Sequence, residues 1–111
     1  MDESIKKYLY DIKVSIESIN EYLLNKRSFT EYEQNKLLRR AIERELEIIG
    51  EATVRIKAID SNFRITEIAA IKALRNRIAH EYDGIDNNRI WTVVNNHLPL
   101  LLKEVETYLA E

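Results

Sequence analysis

Residues 5–23, IKKYLYDIKVSIESINEYL, place isoleucine or leucine at positions 5, 9, 12, 16, 19 and 23. Steps of four and three put these six side chains on one stripe of a helix of about six turns, with lysines, glutamates and tyrosines on the remaining faces. The stripe must find an apolar partner, and the rest of the chain supplies several. Leu38, Ala41, Ile42, Leu46, Ile49, Ala52 and Ile56 repeat the pattern, as do Ile68, Ile71, Leu74 and Ile78, and then Ile90, Trp91, Val94 and Leu98. A last set, Leu101, Leu102, Val105 and Leu109, follows Pro99. Only two glycines and one proline interrupt the sequence and no segment alternates with a period of two, so an all-α fold is expected.

Local signals set the expected boundaries. The first helix is expected to end near Asn25-Lys26-Arg27. Thr30-Glu31-Tyr32-Glu33 has the form of a capping box, in which hydroxyl and carboxylate satisfy the first free amides, and predicts a long second helix reaching about Lys57. Gly50 inside it costs about 1 kcal/mol of helix propensity, which a close helix crossing explains. A third helix is expected from near Thr66 until Asp83-Gly84 terminates it. Asp86 or Asn87 caps a fourth, and Pro99 either kinks that helix or begins a fifth. Short connections between four or five helices predict an antiparallel bundle, a single domain over residues 1–111.

With 111 residues, of which 45% are apolar and 32% charged, the chain has enough material for one core. The lack of cysteine excludes disulfides, thiolate metal sites and cysteine nucleophiles. The opening MDESIKKYLYDIKVSI is charged throughout, and no run approaches the ~18 apolar residues of a membrane span, so a cytoplasmic protein without a membrane partner is expected. A net charge of -2 gives no global reason for nucleic-acid binding. Any such site is local, at Lys72/Arg75/Arg77 or at Lys36/Arg39/Arg40/Arg44, though mixed charge of this kind also describes a solvated helix face. Glu45, Glu47 and Glu51 look like the wet side of a helix. Tyr8, Tyr22, Tyr32 and Tyr108 lie on or beside apolar stripes as core or rim residues, and Trp91 reads as core or interface. His97 adjoins an apolar run and reads as packed or surface rather than as a ligand. No metal or cofactor is expected.

Chemistry concentrates in LRNRIAHEYDGID, residues 74–86. On a helix Asn76 and His80, four apart, are neighbours, and Arg75 and Tyr82, seven apart, are nearly eclipsed. Imidazole exchanges protons near neutral pH, and a guanidinium holds phosphate through two parallel hydrogen bonds. Together they suit cleavage of RNA, whose own 2′-hydroxyl is the nucleophile, so that the protein supplies proton transfer and charge stabilisation. The alternative is a helix end whose cations merely complement the C-terminal dipole, and spacing alone favours that alternative.

The ordered motifs resemble the HEPN domains, and within them the HepT-like toxins encoded beside a minimal nucleotidyltransferase antitoxin. Arg75-Asn76-Arg77-Ile78-Ala79-His80 fits the family's Arg-polar-x-x-x-His motif, and Glu81-Tyr82 completes Arg-x-x-x-x-His-x-Tyr. Ile49-Gly50-Glu51-Ala52, Asp83-Gly84-Ile85-Asp86, Ile90-Trp91-Thr92-Val93-Val94 and Leu98-Pro99-Leu100 extend the resemblance over roughly residues 5 to 109. It implies a homodimeric, metal-independent endoribonuclease, the toxin of a type VII-like pair acting on tRNA or mRNA, with both subunits' motifs in one interfacial cleft. By the same resemblance His80 is the acid/base, Arg75 the phosphate binder and Asn76 an orienting group, with Lys72 and Arg77 as RNA-binding candidates. Tyr82 matches the tyrosine that the antitoxin modifies with AMP, which would add bulk and negative charge beside Arg75 and His80.

A dimer also answers a geometric difficulty: one motif brings one histidine, whereas cleavage needs a base and an acid on opposite sides of the phosphate. Apolar faces left over from monomer packing, such as Trp91 or Leu98, are candidates for burying the two-fold contact. Two other readings stand beside the RNase: a non-catalytic subunit presenting substrate to a separately encoded nucleotidyltransferase, and a plain helical dimerisation scaffold.

Overall fold

The computed structural model describes residues 1–25, 27–67, 69–74 and 86–111, and these form helices with no strand among them. Helix α1, Glu3–Tyr22, begins where the Asp2 carboxylate accepts from the amides of Ser4 and Ile5. All six residues of its apolar stripe are buried. It ends a turn earlier than the sequence predicts, with Leu23 as its C-cap.

The expected long second helix is two helices. Ser28, not Thr30, is the first cap, its hydroxyl accepting from the Glu31 amide, and α2 spans only Phe29–Gln34. Asn35 then leaves the helical region (φ -110°, ψ 96°), and its side chain accepts from the Leu38 amide to start α3, Lys36–Ile59. The break lets Tyr32 turn fully inward, where its ring lies 5.2 Å from Trp91, while Phe29 lies 6.1 Å from the same indole. Burial and then the Glu43 carboxylate push the Tyr32 hydroxyl pKa well above its ordinary value.

Helix α3 lies along α1 in the opposite direction. Tyr22 near the end of α1 donates to Glu45 in the first half of α3 (2.8 Å), whereas Lys7 and Tyr8 share a cleft with Glu51 and Arg55 farther along. Leu38, Ile42, Leu46, Ile49, Ala52 and Ile56 meet the α1 stripe and are buried. Gly50 is buried with helical backbone, as a close approach between helices requires. Residues 69–74 form the described part of α4, with Ile71 and Leu74 facing the core.

Asp86 caps α5, Asn87–Thr92, by accepting from the Asn88 amide. Pro99 has no amide hydrogen, and its ring would collide with the carbonyl four residues earlier in a regular helix. The chain widens instead into a π-turn over Val93–His97, closed by the Leu98 amide donating to the Val93 carbonyl, and α6 continues as Leu98–Leu109. Residues near the end of α6, Tyr108 and Glu111, lie beside Ile5, so α6 also runs antiparallel to α1. Leu98 is buried inside the monomer and so is not the free apolar surface expected for a dimer contact, whereas Trp91 packs one side against Phe29 and Tyr32 and is half-buried.

The α1–α3 contact therefore bears most directly on stability. Ile49 is fully buried there, and Ile49→Ala is expected to lower the unfolding free energy by about 2–5 kcal/mol. Urea denaturation with an unchanged m-value checks this; a loss below about 1 kcal/mol would place Ile49 outside the main core.

Candidate functional site

The chain between α3 and α4 is a strap laid across the C-terminal helix. After α3, Asp60 accepts from the Asn62 amide through its side chain and from the Phe63 amide through its carbonyl, which turns the backbone. The Phe63 ring then packs against Tyr108 with centroids 4.6 Å apart, and the Tyr108 hydroxyl donates to the Arg64 carbonyl at 2.7 Å. Burial and then the Glu104 carboxylate raise the Tyr108 pKa above its ordinary value, which preserves the phenol as a donor. Ile65 enters the core. Thr66 donates twice to Glu104, from its amide at 2.9 Å and its hydroxyl at 2.6 Å.

Glu67 completes the strap. His97 Nδ1–H donates to its Oε2 at 2.6 Å, and the Glu67 carbonyl accepts from the Ile71 amide at the entry to α4. His97, Leu101, Glu104 and Tyr108 are spaced by four, three and four residues, so one face running from the π-turn along α6 meets the whole strap. Sequence reasoning placed His97 only as a packed or surface residue and gave Glu104 no role. Their helical spacing from Tyr108 was the available signal.

This strap fixes the approach to residues 75–85. Ile71 and Leu74 are buried, while Lys72, one of the RNA-binding candidates, is exposed. The proposed roles of Arg75, Asn76, Arg77, His80 and Tyr82, together with the Asp83-Gly84 terminator, fall outside the described residues. Beyond them Asp86 is anchored again: its carbonyl accepts from the amides of Arg89 and Ile90, and Ile90 is fully buried. Arg27 donates to Asn95 (2.8 Å) and to Asn20 (3.2 Å), tying the π-turn to the end of α1.

In the second basic patch the three arginines already have partners, Arg39 on α2 and Arg40 and Arg44 on α3 itself. Arg39 donates to the Glu33 carbonyl, Arg40 pairs with Glu43 at 3.0 Å, and Arg44 lies 3.6 Å from Glu47. Arg44 also lines a cleft of about 500 Å³ between α1 and α3, where Lys7 pairs with Asp11 at 2.8 Å and Arg55 with Glu51 at 3.0 Å. A phosphate entering this cleft would compete with carboxylates already beside each of these cations. The solvated-face reading thus fits the Lys36/Arg39/Arg40/Arg44 segment better than an RNA site.

Comparison with known proteins assigns the class. A family model described as Ribonuclease HepT-like matches residues 12–108, a span that includes the Arg75-to-Tyr82 motif. A relative from Methanocaldococcus jannaschii, provisionally named an RNase, is 36% identical over 92% of this chain and 94% of its own length. One from Thermococcus cleftensis, provisionally named ribonuclease HepT, is 33% identical over 96% of both chains. A third, named tRNA nuclease HepT, from Aphanizomenon flos-aquae, is 39% identical over 39% of this chain and 31% of its own. No solved structure matches the chain. The all-helical fold and these matches define a ribonuclease. The chain belongs to the HepT-like ribonuclease family.

The strap makes a separable contribution to stability. Tyr108→Phe removes one hydrogen bond to the Arg64 carbonyl but retains the ring contact with Phe63, and is expected to cost about 0.5–1.5 kcal/mol. Tyr108→Ala removes both and should cost more. Equal losses in the two variants, measured by urea denaturation, would show that the ring contact contributes nothing.

Proposed function

We propose that the protein is a metal-independent endoribonuclease toxin whose site is composed from the motifs of two subunits. The observation that carries this reading is the Arg75-Asn76-x-x-x-His80-x-Tyr82 series lying inside the span matched by the HepT-like family. In the proposed reaction one His80 takes the proton from a ribose 2′-hydroxyl as that oxygen attacks the adjacent phosphorus. The His80 of the second copy gives a proton to the departing 5′-oxygen, leaving a 2′,3′-cyclic phosphate and a 5′-hydroxyl. Arg75 binds the phosphate and the charge that develops on it, Asn76 orients it, and Lys72 and Arg77 hold flanking phosphates. The nucleophile belongs to the substrate, so neither a covalent intermediate nor a bound ion is needed. Because one relative is named a tRNA nuclease, tRNA is the first substrate to test.

Control of the toxin is proposed to act at the same site. A cognate minimal nucleotidyltransferase transfers AMP to the Tyr82 hydroxyl, with pyrophosphate leaving if ATP is the donor. The added phosphate repels RNA and its bulk fills the cleft. Intact mass of the protein produced with and without its genomic neighbour should differ by whole AMP increments that Tyr82→Phe removes. Increments that survive in Tyr82→Phe would move the modification to another residue.

Cleavage itself is tested by purified protein on tRNA and total RNA in the presence of EDTA. Wild type should cut, and His80→Ala should lose about 10²–10⁴-fold in rate while remaining folded. An equally active His80→Ala would overturn the site assignment. A folded wild-type dimer that cuts no RNA, yet holds the transferase stably, would instead support the substrate-presenting subunit, a role compatible with the net charge of -2.

A further inference from the structure

We propose that His97 is a positioning residue for RNA cleavage, acting through Glu67 to fix the helix that leads into the motif; this rests on the RNase reading above. Glu67 sits at the entry to α4, where its carbonyl accepts from the Ile71 amide. Its carboxylate is held at 2.6 Å by His97 Nδ1. The two side chains are only 16% and 34% exposed, so the bond is less screened than the surface ion pairs on α1 and α3.

The origin of His97 gives the contact its reach. His97 closes the π-turn that continues directly from α5, and α5 begins at the Asp86 cap immediately after residues 75–85. Glu67 stands just before α4, which leads into the same residues. One side-chain bond therefore joins the element after the motif to the element before it. The Pro99-induced π-turn is part of this device, because it sets the orientation of the last turn from which His97 projects. Thr66–Glu104 and Arg64–Tyr108 hold the preceding strap, but both end on α6, farther along the chain from Asp86 than the π-turn that carries His97.

A small disturbance here is amplified along the helix. Glu67 to Leu74 is seven residues, about 10 Å of helix, so a tilt of about 10° at Glu67 displaces Leu74 by about 2 Å. Misplacement by about 1 Å at a reacting centre can cost about 10²-fold in rate. His97 need not touch RNA to matter, and the expected signature is a loss in kcat rather than in KM.

The test uses the full-length protein and the RNA cleaved by wild type. His97→Ala is expected to lower kcat at least about tenfold with KM changed less than about twofold and the melting temperature within a few degrees. His97→Asn, whose side-chain nitrogen stands where Nδ1 does and can still donate to Glu67, should recover most of the loss. Glu67→Ala should match His97→Ala, and the double variant should be no worse than either single one, since both remove the same bond. Hydrogen exchange should accelerate in residues 69–74 in His97→Ala and remain unchanged in α1 and α3. Wild-type kcat in folded His97→Ala, a loss confined to KM, or additive effects of the two alanines would each overturn the proposal. If His97→Ala does not fold, folded His97→Asn and Glu67→Ala decide: similar losses in both overturn the proposal, whereas loss only in Glu67→Ala supports it. Wild type that cuts no RNA would sink the RNase reading and this role with it; active wild type with an equally active His97→Ala sinks only this role.

Discussion

The isoleucine-rich contact between α1 and α3 is the constraint on which the other elements depend. Each fully buried isoleucine or leucine contributes about 1.5–3 kcal/mol relative to exposure, and α1 with its Leu23 cap supplies six buried ones along one continuous stripe. A helix of 20 residues with so much apolar surface on one side has to be covered. α3 covers part of it and α6 closes another side, both antiparallel to α1. With those axes fixed, the π-turn and α6 face the strap and hold the entry to α4.

The holding is divided between two kinds of interaction. Apolar side chains place the axes: Ile65, Ile71 and Leu74 anchor the strap and α4, and Ile90 anchors α5. Directional bonds then set the rotation of the strap, through Tyr108 to the Arg64 carbonyl, Glu104 to Thr66 and His97 to Glu67. The hydrogen bonds are individually modest beside the core, but they lie immediately before the motif. Under the proposed function the placement matters, since a site that draws one histidine and one arginine from each of two subunits depends on their orientation more than on any unusual reactivity.

Periodicity made the helical core legible in the sequence, because burial along α1 and α3 repeats every three or four residues. Asp86 as a cap and Pro99 as an interruption were legible for the same reason: each changes a defined backbone bond. The break at Asn35 was not, for it lies in the polar run Glu33-Gln34-Asn35-Lys36 with no glycine or proline, and only its captured Leu38 amide distinguishes a cap from a helical surface residue. Ser28, two residues before Thr30, is also followed three positions later by a glutamate, Glu31, and it is the cap that forms; the burial of Tyr32 favours it. The motif's residue types and spacing were visible directly, whereas the His97–Glu67 bond joins residues thirty positions apart and emerges only when the strap is folded over the π-turn.

The proposed reaction turns on which oxygen attacks phosphorus. The most direct measurement is the end-group chemistry of RNA fragments released by the purified protein, determined by mass spectrometry with tRNA as substrate. Attack by the substrate's own 2′-hydroxyl predicts fragments ending in a 2′,3′-cyclic phosphate, paired with fragments that begin in a 5′-hydroxyl. Fragments ending in a 3′-hydroxyl and paired with 5′-phosphates would contradict it, because they require water or another external nucleophile.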